Sequence, residues 1–255
     1  YEGFTDENAD KFARRTALTT RDYGETLTLG NLYQLALDAL AFPTKDGGTL
    51  AQSLVEKGRC TQAQIRSFFP EELTARQVAD RHMAAAFQLD VYYTENAYKE
   101  NIRSNGGSGF FVSAGGLAVT NYHTIEGAVQ ATVTLITGET FLVDRVLFYD
   151  PNTDLALLRV SKTSTDKTEV PFFSFLEIAE EPELRRGDRI YTLGVPLGIT
   201  PAISEGIVSA TDHMVSKFSA PCVVNTADIS HGSSGGALLN IYGHAVGVTS
   251  GAYEA

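Results

Sequence analysis

The chain carries a glycine-flanked serine before an apolar strand, in the stretch Ser230-His231-Gly232-Ser233-Ser234-Gly235-Gly236-Ala237-Leu238. Glycine permits backbone angles that let consecutive amide N–H groups converge on one point, as stabilisation of a tetrahedral oxyanion requires. We therefore predict that Ser234 is a nucleophile and that the amides of Gly232 and Ser234 are its oxyanion donors. For this stretch alone, a glycine-serine turn without catalytic purpose is the alternative.

The position of this serine near the end of the sequence separates two folds. Residues 232–236 also match the Gly-x-Ser-x-Gly turn of α/β-hydrolases, in which an acid and then a histidine follow the serine. The segment after Gly236 is short, and His244 is its only histidine. This order excludes the α/β-hydrolase arrangement, so a base and an acid must be sought upstream.

A candidate base lies at the end of an apolar segment, Leu117-Ala118-Val119-Thr120-Asn121-Tyr122-His123. A histidine at the mouth of a strand can be held rigidly while its imidazole faces a cleft. Imidazole suits general-base catalysis because its ordinary pKa is close to neutrality. We predict that His123 is this base; a hydrogen-bonded structural histidine is the alternative.

A candidate acid directly precedes another apolar strand, in Asp154-Leu155-Ala156-Leu157-Leu158. A partly buried carboxylate there can bond the Nδ1 atom of a histidine, which fixes its tautomer and stabilises the imidazolium. Asp150 is the rival, but Asp150-Pro151 has the chemistry of an exposed turn. We therefore predict that Asp154 is the acid.

The spacing of apolar residues changes near Phe87, from a helical to a strand-like pattern. Before it, apolar residues recur at three- and four-residue spacing, which predicts helices over residues 7–18, 29–40, 50–57, 62–69 and 75–86. After it, Val, Thr, Ile, Tyr and Phe runs predict strands over residues 87–94, 109–113, 117–121, 130–136, 141–149, 155–160, 189–195, 203–210, 222–226, 237–240 and 245–250. Many short strands without crossover helices favour antiparallel barrels or sandwiches.

Composition excludes several functions. A net charge of −11 and a pI near 4.9 disfavour nucleic acid and anionic membrane surfaces as partners. No metal-binding His-Glu-x-x-His helix or phosphate-binding loop is present, so we expect neither a metal nor a cofactor. Cys60 and Cys222 are expected to be free thiols, with a disulfide between them as the alternative. The chain begins at Tyr1 without a leader-like segment, as expected of a mature or trimmed chain.

From about Thr74 to its end, the sequence resembles the trypsin-like serine peptidases, and among them the bacterial HtrA/DegP-like branch. The order His123, Asp154, Ser234 matches that family. Further similarities are its Gly-Ser-Gly, Thr-Asn-x-His, Asp-Leu-Ala and second-barrel blocks, at residues 107–110, 120–123, 154–158, 194–198 and 205–209. The family usually has proline at the position of His231 and asparagine at that of Ser233.

The resemblance implies a mainly β fold, a chymotrypsin-like double antiparallel β-barrel preceded by an all-α N-terminal region. We expect the helical region over residues 1–73 and the peptidase domain over 74–255. Within that domain, the first barrel spans about 86–160, and the second spans about 172–255 without its last strand. We expect no PDZ-like domain.

The resemblance also implies the chemistry: Ser234 attacks a peptide carbonyl, His123 accepts its proton, and Asp154 orients His123. Ser250 is expected to support Asp154 and to bind the substrate backbone. Asp228, six residues before Ser234, is expected at the base of the specificity pocket, where it would select Arg or Lys. The alternative is that Asp228 turns outward or is neutralised by a nearby cation.

The expected function is that of a secreted serine endopeptidase, extracellular or in the bacterial cell envelope, acting on protein or peptide substrates. The sequence does not indicate an oligomeric state. A trypsin-fold protein that binds peptides with weak or no turnover is the alternative, because an incomplete second barrel could leave the oxyanion loop unformed.

Overall fold

The computed structural model describes residues 29–41, 44, 48–61, 64, 72–179, 184–195, 201–215 and 218–251. The chain divides into two compact units, Tyr1–Glu71 and Glu72–Ala255. The predicted helix over 7–18 lies outside the described ranges, and so does the one over 62–69 except for residue 64. Within the described ranges, no helix is both long and apolar enough to span a membrane.

The described part of the first unit is helical. Helix α1 spans Leu29–Ala41 and helix α2 spans Leu50–Glu56. Thr49 caps α2: its side chain accepts a bond from the backbone N–H of Gln52, whose side chain bonds the Thr49 N–H in return. Such a reciprocal cap satisfies two amides that the first turn of a helix leaves unpaired. The helices predicted over 29–40 and 50–57 are thus confirmed.

The second unit begins with a short helical segment that is anchored to the β-structure. Helix α3 spans Ala75–His82, and a 3₁₀ turn, Met83–Ala85, follows it. The predicted helix over 75–86 ends early because Ala86 is the first residue of a strand. Leu73 is buried, its N–H donates to the Ile241 carbonyl, and its carbonyl accepts from the Tyr191 hydroxyl, both at 2.7 Å. Leu73 therefore lies in the peptidase unit, two residues past the division of the chain.

Six antiparallel strands close a barrel in the order β1-β2-β3-β6-β5-β4. Their bounds are β1 Ala86–Tyr92, β2 Asn105–Phe111, β3 Leu117–Thr120, β4 Gln130–Leu135, β5 Thr140–Asp150 and β6 Leu155–Ser164. Two short helices interrupt them, α4 Glu95–Lys99 and α5 Tyr122–Ile125.

Aromatic side chains fill this barrel. Phe111 stacks on Phe173 with ring centroids 4.2 Å apart, and Phe87 and Phe141 pack against this pair at 4.9 and 5.2 Å. All four rings are buried. Burial of each such side chain contributes about 1.5–3 kcal/mol, so these rings hold the barrel as a rigid support for the loops at its ends.

A second antiparallel sheet follows, in the order β11-β10-β7-β8-β9. Its strands are β7 Arg189–Gly194, β8 Ala202–His213, β9 Cys222–Asn225, β10 Ala237–Asn240 and β11 Ala245–Val248. With a closed barrel and a half-barrel, the predicted mainly β, chymotrypsin-like double-barrel fold is confirmed. Both cysteines are free thiols.

Candidate active site

His123 lies on the single turn of α5, directly after β3. Strand β3 pairs with β6, with Thr120 opposite Ala156. This register brings the segment that follows β3 beside the segment that precedes β6. His123 and Asp154 therefore meet although they are 31 residues apart, and the imidazole remains one-third exposed.

Asp154 is buried and adopts a left-handed backbone conformation with φ of +56°. Its carbonyl accepts hydrogen bonds from the Asn121 side-chain amide at 2.9 Å and from the Tyr122 N–H at 3.1 Å. Aspartate and asparagine tolerate this conformation better than most residues with a side chain. The Asn121 side chain and the Tyr122 backbone thus hold Asp154 in place.

Three donors meet the Asp154 carboxylate. The His123 N–H bonds Oδ1 at 2.9 Å, while the His123 Nδ1 and the Ser250 hydroxyl approach Oδ2 at 2.7 and 2.6 Å. Burial acts to raise the pKa of Asp154, but the bonds from His123 and Ser250 outweigh it and hold the pKa below its ordinary value. The acid is thus ionised at neutral pH, so Nδ1 carries the proton and Nε2 is free to accept one.

The rival carboxylate, Asp150, has a local role. It accepts bonds from the backbone and side chain of Asn152 and from the Thr153 hydroxyl, which shape the turn before Asp154. These bonds, the Asn152 N–H first, lower the pKa of Asp150. The structure places Asp154, and not Asp150, against His123.

The predicted nucleophile lies on the loop between β9 and β10, in which Gly232 and Gly235 have φ of +93° and +88°. A side chain at Gly235 would collide with the Ser108 carbonyl. Within the described part of the chain, the N–H groups of Gly232 and Ser234 have no hydrogen-bond acceptor. Two amides without an acceptor among the described residues, one on either side of Ser233 and close in sequence to the serine hydroxyl, are what an oxyanion site needs.

The Ser234 hydroxyl makes one long bond, at 3.4 Å, to the Ser250 carbonyl. Among the described residues it has no hydrogen bond to His123. Bonds between a nucleophile and its base are often long or misaligned before substrate binds. The structure therefore joins His123, Asp154 and Ser250 directly, and links Ser234 to them through Ser250.

A cavity of about 320 Å³ opens beside this loop, and residues of the paired strands β7 and β8 line it together with loop residues. Asp228 and Ser233 line it, and the Asp228 N–H bonds the Ser204 hydroxyl at 2.9 Å. Asp228 is exposed, and among the described residues no cation pairs with it. Asp228 thus lies on the cavity wall, with a carboxylate that pairs with no cation of the described segments.

Two residues that bond the acid and the nucleophile loop belong to sequence motifs, but the sequence indicated no role for them. Asn121 bonds the Asp154 carbonyl, and Ser108 bonds the nucleophile loop. Their positions inside the Thr-Asn-x-His and Gly-Ser-Gly blocks were the only available signal. Within the described residues, no group of three or more His, Cys, Asp or Glu side chains is arranged to hold a metal ion.

The chain is similar to known peptidases over this same region. The family model "Trypsin-like peptidase domain" matches residues 107–248, more than half of the chain. A probable periplasmic serine endoprotease, DegP-like, of Bartonella henselae is 29% identical over 70% of this chain and 35% of its own length. A protein of the same description from Chlamydia trachomatis is 34% identical over 56% of this chain and 27% of its own length.

These relatives are longer proteins, and the chain spans about a third of their length. Among solved structures, a serine endoprotease from Yersinia pestis superposes with a TM-score of 0.58 at 24% identity. That match covers 71% of this chain and 58% of the other, and it supports the fold. The chain belongs to the trypsin-like peptidase family, and the relatives named above are DegP-like members to which it is similar.

Proposed function

We propose that this protein is a serine endopeptidase with His123, Asp154 and Ser234 as its catalytic triad. The observation that carries the proposal is the 2.7 Å contact between His123 Nδ1 and the buried Asp154 carboxylate, which hydrogen bonds of Ser250 connect to Ser234. A buried ionised acid on Nδ1 leaves Nε2 as a base, which is the role that the mechanism requires.

In the proposed reaction, Ser234 Oγ forms a bond to the peptide carbonyl carbon while its proton moves to His123 Nε2. The carbonyl oxygen becomes an oxyanion, which the Gly232 and Ser234 amides stabilise; one such donor is typically worth about 3 kcal/mol of barrier. The C–N bond then breaks, and the imidazolium gives its proton to the leaving amine. Water then attacks the acyl carbon while its proton moves to His123 Nε2, and the bond to Ser234 Oγ breaks as the imidazolium returns that proton to Ser234.

The cavity beside Ser233 is the proposed site for the side chain that precedes the scissile bond. The Asp228 carboxylate, which has no cationic partner among the described residues, supports a preference for Arg or Lys, because a guanidinium or ammonium group would form charge-assisted bonds there. Ser250 is proposed both to support Asp154 and to bind the substrate backbone through its carbonyl.

The proposed substrates are proteins or peptides, and the proposed location is extracellular or in the bacterial cell envelope. The descriptions of the Bartonella and Chlamydia relatives as periplasmic support this location. The net charge of −11 would repel nucleic acid and anionic membranes, which supports the proposal that neither is a partner.

The proposal is tested by incubating the full chain with an unfolded protein and sequencing the products by mass spectrometry. We expect internal cleavage by the wild type, and a fall in kcat of at least about a thousandfold in His123→Ala and Ser234→Ala. Ser209→Ala, which removes an exposed hydroxyl on β8, is the matched control. Cleavage that persists in Ser234→Ala would contradict the proposal.

A further inference from the structure

Ser108, in the middle of β2, reaches out of the first barrel to the nucleophile loop. It is completely buried. Its backbone N–H donates to the Ser234 carbonyl at 2.7 Å, and its hydroxyl donates to the Gly232 carbonyl at 2.6 Å. The two residues whose carbonyls Ser108 holds are the two whose amides have no acceptor among the described residues.

The direction of the hydroxyl bond is fixed by a third contact. The N–H of Val195, directly after β7, donates to the Ser108 Oγ at 2.7 Å. An amide can only donate and a carbonyl can only accept, so the single hydroxyl proton must point at Gly232. Ser108 thereby connects three segments: β2, the end of β7 and the nucleophile loop.

This connection restrains a part of the loop that has little restraint of its own. Gly232 has no β-carbon and adopts φ of +93°, so the peptide planes on either side of it can rotate at low cost. The plane between Gly232 and Ser233 is held at both ends, by Ser108 on the carbonyl and by the bond from the Ser233 N–H to the Ser230 carbonyl at 2.9 Å. Without the Ser108 hydroxyl, the Gly232 carbonyl end of this peptide plane would lose its restraint.

Gly194 leaves room for the bond between the Val195 N–H and the Ser108 hydroxyl. A β-carbon added at Gly194 would lie 3.0 Å from the Ser108 Oγ, so a side chain there would press on the hydroxyl. Val195, the donor to Ser108, is itself buried, with 2% of its surface exposed. If the hydroxyl were removed, the Val195 N–H would lose its acceptor and the Gly232 carbonyl would lose its donor.

We propose that Ser108 is a positioning residue whose hydroxyl holds Gly232 so that the Gly232 amide stays directed at the oxyanion. The inference rests on the proposed peptidase function and adds a residue outside the triad. Ser108 does not touch the substrate. It acts through Gly232, so its loss weakens binding of the transition state more than binding of the substrate.

The test compares two buried serines of the first barrel. Ser108→Ala removes the hydroxyl that holds Gly232. Ser164→Ala removes a hydroxyl that is likewise buried and hydrogen-bonded, to Thr168 at 3.0 Å and to the Asp166 carboxylate, but that does not contact the nucleophile loop. Ser108→Cys keeps a weak donor of similar size and guards against loss of the fold.

The full chain and its variants are measured with a peptide ester and with a peptide boronate, which forms a tetrahedral adduct on Ser234. In Ser108→Ala we expect kcat to fall about 10- to 100-fold, because one displaced oxyanion donor costs less than one removed. KM should stay within about twofold, and the boronate inhibition constant should rise by the same factor as kcat falls. Ser108→Cys should lie between the wild type and Ser108→Ala, and Ser164→Ala should keep the wild-type kcat.

Three results would overturn the inference. A kcat of Ser108→Ala equal to that of Ser164→Ala would show that the hydroxyl only supports the fold. An unchanged boronate affinity would show that the oxyanion site is intact without it. A wild type that neither hydrolyses the ester nor binds the boronate would contradict the proposed function itself, and the inference with it.

Discussion

The Ser250 hydroxyl donates a 2.6 Å hydrogen bond to Oδ2 of Asp154, although the two residues are 96 positions apart. Ser250 follows the last strand of the second sheet, whereas Asp154 precedes the last strand of the first barrel. This bond and those from His123 outweigh the effect of burial and lower the pKa of Asp154. The acid of the site therefore depends on both β-structures.

Ser250→Ala should reduce stability in a pH-dependent way. The pKa of Asp154 is lower in the folded protein than its ordinary value of 3.8, so the carboxylate contributes stability that is complete above pH 3.8 and is lost as the pH falls through the folded pKa. We expect Ser250→Ala to lower the free energy of unfolding by about 1–2 kcal/mol at pH 7.

The measurement is urea unfolding of the wild type and Ser250→Ala between pH 2.5 and pH 7. The difference in unfolding free energy between the two proteins should become smaller once the pH falls below 3.8. Using the difference between the proteins removes the contributions of Asp150 and Asp166, whose pKa values are also lowered. A difference in unfolding free energy that stays constant down to pH 2.5 would contradict the claim that Ser250 stabilises the ionised Asp154 carboxylate.

Asp154→Asn and Asp154→Ala should differ in stability but not in activity. Both remove the carboxylate, so both should lower kcat by about 10³- to 10⁴-fold. Asparagine tolerates φ of +56° better than alanine does, so Asp154→Ala should be less stable by about 1 kcal/mol. Equal unfolding midpoints in urea would argue against backbone strain at this position.

Asp228 should determine the residue preferred before the scissile bond. In a peptide library we expect cleavage after Arg or Lys, and about a tenfold loss of kcat/KM on these peptides in Asp228→Asn, with little change on others. The factor is modest because Asp228 is exposed. Cleavage mainly after Val or Ala by the wild type would reject the assignment.

The helical N-terminal region should be removable. A chain of residues 72–255 should fold with an unchanged thermal midpoint and label with a fluorophosphonate at the wild-type rate. Extending the deletion through Leu73 should destabilise the remainder by about 2–4 kcal/mol, since Leu73 is buried with 2% of its surface exposed. Loss of folding in the 72–255 chain would show that the region is not separable.

Sequence patterns predicted strands such as β3 and β10 because runs of apolar and β-branched residues are a local signal. Residues 117–121 and 237–240 were expected as strands and form β3 and β10. The short helices α4 and α5 were missed, since four or five residues are too few to show a helical period. His123 consequently lies on a helical turn rather than on a strand end.

The contacts between segments that are distant in the chain could not be predicted from the sequence. Gly-Ser-Gly could be quoted as a motif, but the bond from Ser108 to Gly232 joins residues 124 positions apart. The left-handed backbone of Asp154 was equally hidden, because the bond from the Asn121 side chain to the Asp154 carbonyl depends on the pairing of β3 and β6. Such features follow from tertiary packing and not from local propensity.

Labelling of the full chain with a fluorophosphonate, which forms a covalent bond to an activated serine oxygen with loss of fluoride, tests the nucleophile directly. We expect one modified site in the wild type, assigned to Ser234 by peptide mass spectrometry. Labelling should be unchanged in Ser209→Ala and absent in Ser234→Ala. Labelling that survives Ser234→Ala would contradict the assignment of the nucleophile, and a wild type that does not label would favour a peptide-binding protein without turnover.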